Sequence, residues 1–259
     1  MIDLHTHLLP GLDDGPSDER GALELARAAV AAGTRAVVAT PHVDHVYGVD
    51  PGSLPAAVEA VRSLLARRNV PLEVHVGAEL AITRLPELTG AELEAVTLGG
   101  GGYLLVECPH SPIGDLLETV VLSAVADGRR VVLAHPERSP AFIGRHSRLA
   151  DLVRQGVRVQ ITADSMTGRF GRVVQRFALE LIRARLVHAV ASDAHDASRR
   201  PPLPVDMFSA AERLLPGIRR NEQWWTEISP AAILAGEDPG EPPPLGVRRQ
   251  LLPRRRRSS

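Results

Sequence analysis

Histidine, aspartate and glutamate recur in this chain where short apolar runs end. His5-Thr6-His7 comes first. On an extended strand residues i and i+2 share a face, so the two imidazoles stand side by side, as a divalent metal requires. Asp193-Ala194-His195 repeats that spacing with a carboxylate and an imidazole, after the run His188-Ala189-Val190-Ala191-Ser192. Four single residues follow other apolar runs: His42 after Val37–Pro41, Glu79 after Val74–Ala78, Glu107 after Leu104–Val106, and His135 after Val131–Ala134. Asp14 lies in Asp13-Asp14-Gly15, a triplet with turn chemistry. Beside His5 and His7 it becomes a further candidate ligand. The nine candidates (His5, His7, Asp14, His42, Glu79, Glu107, His135, Asp193 and His195) exceed what one ion takes. They imply two or three divalent ions sharing carboxylates. Metals clustered in this way suit phosphoryl transfer, because they hold both the nucleophile and the charged oxygens. Arg138, after His135-Pro136-Glu137, and Arg200, five residues past His195, could each grip a phosphate with a planar fork. Either arginine alone would read as a surface ion pair.

The positions gain their meaning from the elements between them. Apolar, often β-branched runs at 2–4, 36–40, 72–77, 103–107, 131–134, 157–161 and 187–192 read as strands buried on both faces. Helical patterns alternate with them at 18–32, 53–69, 85–96, 112–127, 146–155, 170–186, 206–215 and 221–235. Ser17 reads as the N-cap of the first helix, and Gly33, Gly128 and Gly156 as residues just past helix ends. Such β/α alternation predicts a parallel sheet, and closure into a distorted (β/α)7 TIM-like barrel removes its edges. An open doubly wound sheet is the alternative. In a barrel the C-terminal strand ends converge on one face, where active sites form. Six of the seven predicted strands end in a charged or imidazole residue, and only 157–161 does not.

Composition narrows the field further. The 259 residues suit one large α/β domain, and a net charge of −1 gives no overall field favouring nucleic acid. The chain has no lysine, so lysine nucleophiles and Schiff bases are excluded. One cysteine, Cys108, excludes an intrachain disulfide and suits a reducing compartment. No apolar run reaches 18 residues, and the start of the chain lacks a signal-peptide pattern, so a cytoplasmic location is expected. Gly114 stands six residues after Cys108, where a cysteine phosphatase needs arginine, and no P-loop, dinucleotide fingerprint or G-x-S-x-G elbow occurs. His45 and His110 lie near ligands and are expected at the substrate rim. The Pro- and Arg-rich segment 237–259 reads as a disordered, solvated tail, with a polybasic contact to an acidic partner or membrane surface as the alternative.

The ordered motifs carry a resemblance. Met1–His7 with Gly11-Leu12-Asp13-Asp14-Gly15-Pro16, then Thr40-Pro41-His42, Gly77-Ala78-Glu79-Leu80, Leu105-Val106-Glu107, Ala134-His135-Pro136-Glu137-Arg138, Ser192-Asp193-Ala194-His195 and Arg200-Pro201-Pro202 are together similar to the bacterial tyrosine phosphatases of the PHP (polymerase and histidinol phosphatase) superfamily. These enzymes are linked to capsule and exopolysaccharide synthesis. The resemblance spans about residues 1–236. It implies a distorted β/α barrel, three metal ions, usually manganese, and hydrolysis of phosphotyrosine on a partner tyrosine kinase. All nine ligand positions and both arginines have counterparts. Ser139 departs from a frequent aromatic residue, which bears on rim contacts; Cys108 replaces an apolar residue; the Arg-rich tail has no counterpart. The expected chemistry is attack by metal-activated water, with Mn2+ ahead of Zn2+, Fe2+ or Mg2+. A small phosphomonoester such as histidinol phosphate or a nucleotide is the rival substrate, and a non-catalytic metal-stabilised module the rival function.

Overall fold

In a computed structural model, which describes residues 1–111 and 114–246, the chain is a mixed α/β fold built on parallel sheets. Nine short strands form among the described residues: β1 (Ile2–Thr6), β2 (Ala36–Ala39), β3 (His42–Val43), β4 (Glu73–Val76), β5 (Glu79–Leu80), β6 (Tyr103–Glu107), β7 (Arg130–Ala134), β8 (Arg158–Thr162) and β9 (Ala189–Ala191). One sheet has the order β1-β2-β4 and the other β3-β5-β6-β7-β8-β9. The helices are α1 (Glu19–Ala31), α2 (Leu54–Arg67), α3 (Gly90–Ala95), α4 (Gly114–Ala126), α5 (His146–Arg154), α6 (Ala163–Thr167), α7 (Arg172–Arg183), α8 (Met207–Glu212) and α9 (Ser229–Leu234). None of the described helices is long and apolar enough to cross a membrane.

Two predicted strands, 36–40 and 72–77, form as β2 and β4, and each is followed by a further two-residue strand that was not predicted. Pro41, which has no N–H to give a ladder, separates β2 from β3, and Gly77-Ala78 separates β4 from β5. Each break passes the chain from the smaller sheet to the larger one. His42 and Glu79, immediately after the breaks, then pair directly across β3 and β5. The two sheets also meet at β9 and β1: Asp193 N donates to His5 O (2.9 Å), and His7 N to Ala194 O (2.8 Å). Those two bonds fasten both H-x-H-like pairs to each other.

Strand alternation divides the core. Leu104, Val106, Val131 and Leu133 join a large cluster against the helices, while Tyr103, Leu105, Val132 and Ala134 join a smaller one with Leu4 and Val38. Glu107 shares its parity with Leu105, so it extends from the smaller cluster rather than the helix-facing one.

Several local expectations shift. Asp18, not Ser17, caps α1, accepting from Gly21 N at 2.8 Å. Gly33 and Gly156 follow their helices at φ 86° and 98°, which a glycine tolerates best. The predicted helix 221–235 divides into a 3-10 turn, a π-helical turn (Trp224–Ile228) and α9, and Trp225 is fully buried with its indole N–H on Val187 O. The segment expected to be disordered from 237 is anchored as far as Gly246: Tyr103 donates to Glu237 O, Arg185 to Pro242 O, and Asn221 to Pro244 O. Residues 247–259, where most of the predicted Arg-rich tail falls, lie outside the described residues.

The break at Gly77 has no room for a side chain. A Cβ there would lie 2.5 Å from Val38 Cγ1, 3.2 Å from Leu98 Cδ2 and 3.3 Å from Thr40 Cγ2. Valine is stiff at χ1 and cannot turn away. Gly77→Ala is expected to cost about 1–3 kcal/mol through overpacking. A lowered melting temperature checks this; an unchanged one would mean that the strand break is loose.

Candidate metal centre

Four donor atoms converge, from His5 in β1, His7 just past it, Glu79 at the start of β5 and Asp193 just past β9. His5 Nε2 lies 3.2 Å from His7 Nε2, 3.2 Å from Glu79 Oε2 and 3.4 Å from Asp193 Oδ1. His7 Nε2 lies 3.4 Å from each of the same two carboxylate oxygens. A regular tetrahedron of such edges has its centre about 2.0 Å from each corner, which is the reach of imidazole nitrogen or carboxylate oxygen to a divalent ion. All four residues are buried.

Two further groups flank this one. His7, Asp14, His42 and His195 bring one ligand atom each within 4.8 Å of one another, and so do Glu79, Glu107 and His135. Asp14 Oδ1 is 3.0 Å from His195 Nε2 and 3.5 Å from His42 Nε2; Glu79 Oε1 is 2.7 Å from His135 Nε2. His7 belongs to two groups and Glu79 to two. The fold thus brings all nine predicted ligands together in three overlapping sets.

The donor chemistry fits cations. Two imidazole nitrogens that face each other at 3.2 Å cannot both carry protons comfortably, and at least one points a bare lone pair inward. Glu79 Oε2, His135 Nδ1 and His195 Nε2 are buried and make no well-angled hydrogen bond among the described residues, although Glu79 Oε2 lies 3.2 Å from His5 Nε2 and His195 Nε2 3.0 Å from Asp14 Oδ1. Such atoms are costly to leave unpaired. Electrostatics tells the same story. Burial pushes Glu79 and Asp193 up, but the surrounding imidazoles, His5 foremost, outweigh it and hold both well below the usual carboxylate range. Burial lowers His5 and His7, yet the facing carboxylates leave both raised. Glu107 shows what lacks compensation: burial and then the charge of Glu79 push it up to about 8. His135 is pushed down to about 4 by burial and by Arg138.

Outer contacts fix which nitrogen points inward. Asp13 Oδ2 accepts from His7 Nδ1 at 2.6 Å and from His42 N at 3.0 Å, while Oδ1 accepts from Gly15 N. Gln160 Oε1 sits 3.1 Å from His5 Nδ1, and Asp193 O 2.9 Å from His195 Nδ1. In each case the Nδ1 proton is engaged and Nε2 is left free for the cluster. Sequence reasoning read Asp13 only as part of a turn and found no functional residue on 157–161. Gln160 is that strand's contribution, and it faces the site by strand parity. Two ligands also adopt left-handed backbone, His135 at φ 36° and Asp193 at φ 55°. Such conformations cost about 1–3 kcal/mol each and persist where surrounding structure enforces them.

Both predicted arginines reach the cluster. Arg138 Nη1 and Arg200 Nη2 donate to the same Asp193 Oδ2, at 2.5 and 2.8 Å, and Arg200 Nη1 reaches Asp14 Oδ2 at 3.3 Å. Phe170 lies under Arg138, 4.7 Å from ring centroid to guanidinium carbon. His110 stacks on His135 with centroids 6.0 Å apart, and half-exposed Tyr47 stacks on His42 at 5.6 Å. His110 is therefore beside the site as expected, whereas His45 pairs with Glu87 at 3.4 Å. Ser139 is fully buried with its hydroxyl on Pro109 O, so it packs behind the site and not on a rim. Cys108 is buried too, and burial raises its thiol pKa well above normal, which keeps it protonated.

Known proteins resemble this chain in sequence and in fold. The family model for capsular polysaccharide synthesis proteins, CpsB/CapC, matches residues 1–215. The tyrosine-protein phosphatase YwqE of Bacillus subtilis is 37% identical over 201 residues, covering 77% of this chain and 79% of its own. The tyrosine-protein phosphatase CpsB of Streptococcus pneumoniae is 27% identical over 209 residues, covering 78% and 86%. A chain from the crystal structures of YwqE and CpsB, described as unique metal-dependent tyrosine phosphatases, superposes with a TM-score of 0.81 at 32% identity, over 96% of this chain and all of its own.

The Asp13 contacts generate a test. Asn keeps the shape but loses the charge and one of two acceptor oxygens. Asp13→Asn is expected to weaken divalent-metal binding about 10- to 100-fold, the usual effect of removing such a partner. Competition with a metal-sensitive chelator dye measures it, and wild-type affinity would reduce Asp13 to a loop residue.

Proposed function

The chain belongs to the CpsB/CapC family of capsular polysaccharide synthesis, and from that premise we propose that it hydrolyses phosphotyrosine in proteins. The supporting observation is the convergence of His5 Nε2 and His7 Nε2, 3.2 Å apart and each 3.2–3.4 Å from a Glu79 and an Asp193 carboxylate oxygen, flanked by two further ligand groups. His5, His7, Asp14, His42, Glu79, Glu107, His135, Asp193 and His195 would hold three divalent ions, for which manganese suits the mixed imidazole and carboxylate donors. When bound, such ions lower the pKa of water toward neutrality and offset phosphoryl charge.

The remaining steps fall to the chain's own groups. Arg138 and Arg200 carry guanidinium groups directly beside the ligand cluster. A phosphoryl group brought there meets two planar forks, which offset the charge that builds on its oxygens in the transition state. Asp193 fixes both guanidiniums through one oxygen while its other oxygen faces His5 and His7, so phosphate grip and ligand geometry share an anchor. Asp13, Gln160 and the Asp193 carbonyl hold the imidazole rings in one orientation. His110 and Phe170 brace Arg138.

Residues 36–43 and 73–80 each run through both sheets, and β9 bonds back to β1. We read the whole as a distorted (β/α)7 barrel with the ligands at its C-terminal strand ends. A cytoplasmic location and a tyrosine kinase of exopolysaccharide synthesis as the partner complete the reading. The names of the relatives support a phosphotyrosine substrate over a small metabolite.

Hydrolysis of a phosphotyrosine peptide should vanish on exhaustive chelation and return best with manganese. Full activity in chelated protein would sink the mechanism. Arg200→Ala should leave metal content unchanged but cost about 2–4 kcal/mol of transition-state stabilisation, roughly 30- to 1,000-fold in rate. Full activity in that variant would remove Arg200 from the phosphate pocket.

A further inference from the structure

The face of α7 that leads away from the site carries a row of cations. Arg172, Arg176 and Arg183 are separated by four and seven residues, which at 100° per residue sets them within about 40° of one another. All three are exposed and line a surface groove of about 660 Å³ with Gln175, Leu179 and Leu214. Among the described residues, Arg172 and Arg183 have no carboxylate within ion-pair distance, and Arg176 has only Glu180, at 3.8 Å. The floor is apolar: Leu179 is buried and Leu214 is 54% exposed.

The row starts at the candidate active site. Phe170, two residues before Arg172, lies against Arg138. Arg169 donates to the backbone carbonyl of Arg199, the neighbour of Arg200. From Arg172 to Arg183 the helix rises about 16 Å, which an extended peptide covers in about five residues. A segment lying here would have its end beside the two phosphate-binding arginines.

We propose that this groove docks an acidic segment flanking the substrate phosphotyrosine. The occupant follows from charge complementarity and from continuity with the site: three cations with one carboxylate among them, over an apolar floor, match carboxylate side chains with short aliphatic stems. The inference rests on the phosphotyrosine reading for where the segment attaches, and not for its charge.

The test uses the metal-loaded protein, the triple variant Arg172→Gln/Arg176→Gln/Arg183→Gln, and fluorescent phosphotyrosine peptides with five acidic or five neutral residues on either flank. The wild type should show a KM about tenfold lower for the acidic peptide, as expected of a few exposed charge contacts, and 0.5 M salt should erase the difference. The triple variant should lose the preference while hydrolysing free phosphotyrosine at the wild-type rate. Peptide binding by fluorescence anisotropy is measured on the same samples. If neither peptide is hydrolysed but acidic binding depends on the row, the phosphatase reading fails and the docking groove stands. Equal KM values for the two peptides, or a preference that survives in the triple variant, overturn the groove. It is also overturned if the variant's only change is loss of binding to phosphatidylserine vesicles, or loss of a dimer by light scattering; those results would assign the row to a membrane surface or a second copy.

Discussion

The strand ends of this molecule answer to one electrostatic constraint: buried carboxylates and imidazoles aim their lone pairs at one another in three adjoining groups. Protein groups alone meet that constraint badly. Facing nitrogens repel, Glu79 and Asp193 need positive neighbours, and Glu107 is driven up to about 8 by burial and then by the charge of Glu79. A divalent cation at each ligand group would satisfy all three conditions at once, since its charge favours every ionised carboxylate and every bare imidazole nitrogen. The fold is the means by which the chain keeps these groups from relaxing apart.

It does so with backbone hydrogen bonds at strand ends. The β9–β1 bonds hold His5 and Asp193 in register, and the β3–β5 pairing does the same for His42 and Glu79. Pro41 and Gly77 stop the strands just before a ligand, so that the ligand starts on the second sheet. Left-handed backbone at His135 and Asp193 turns the chain sharply where β7 and β9 end. The cost of that strain is borne by large apolar clusters on both faces of the sheets.

Much of this was legible in the sequence, for physical reasons. A strand has a fixed side-chain period, and an apolar run marks where it ends, so His5, His7, Asp193 and His195 could be assigned to shared faces from spacing alone. The single ligands were legible through their common position after such runs. The supporting residues were not. Whether Asp13 turns a loop or holds an imidazole depends on which atom lies 2.6 Å away, and no local pattern encodes a contact between residue 160 and residue 5. The short strands β3 and β5 were hidden because each is two residues long and begins with a polar ligand, His42 or Glu79, just where the apolar run ends. Asp18 took the cap expected of Ser17 because both are good capping residues one position apart. The anchoring of the segment from 237 onward depends on residues far away in sequence, Tyr103, Arg158 and Arg185, which composition cannot locate.

The position of Asp193 ties these threads to function. Its Oδ1 faces His5 and His7, its Oδ2 receives both arginines, and its backbone carbonyl orients His195. Any shift of this one residue therefore moves the ligand geometry, the phosphate grip and a third imidazole together. That explains why so short a strand, three residues long, is bonded on both sides and why a strained φ is tolerated there. It also separates two kinds of specificity. In the proposed reading the buried anchor serves the phosphoryl group, which is common to every phosphomonoester. Discrimination among substrates must then come from groups that the anchor leaves free, namely the rings at the mouth and the exposed arginines that lead away from it.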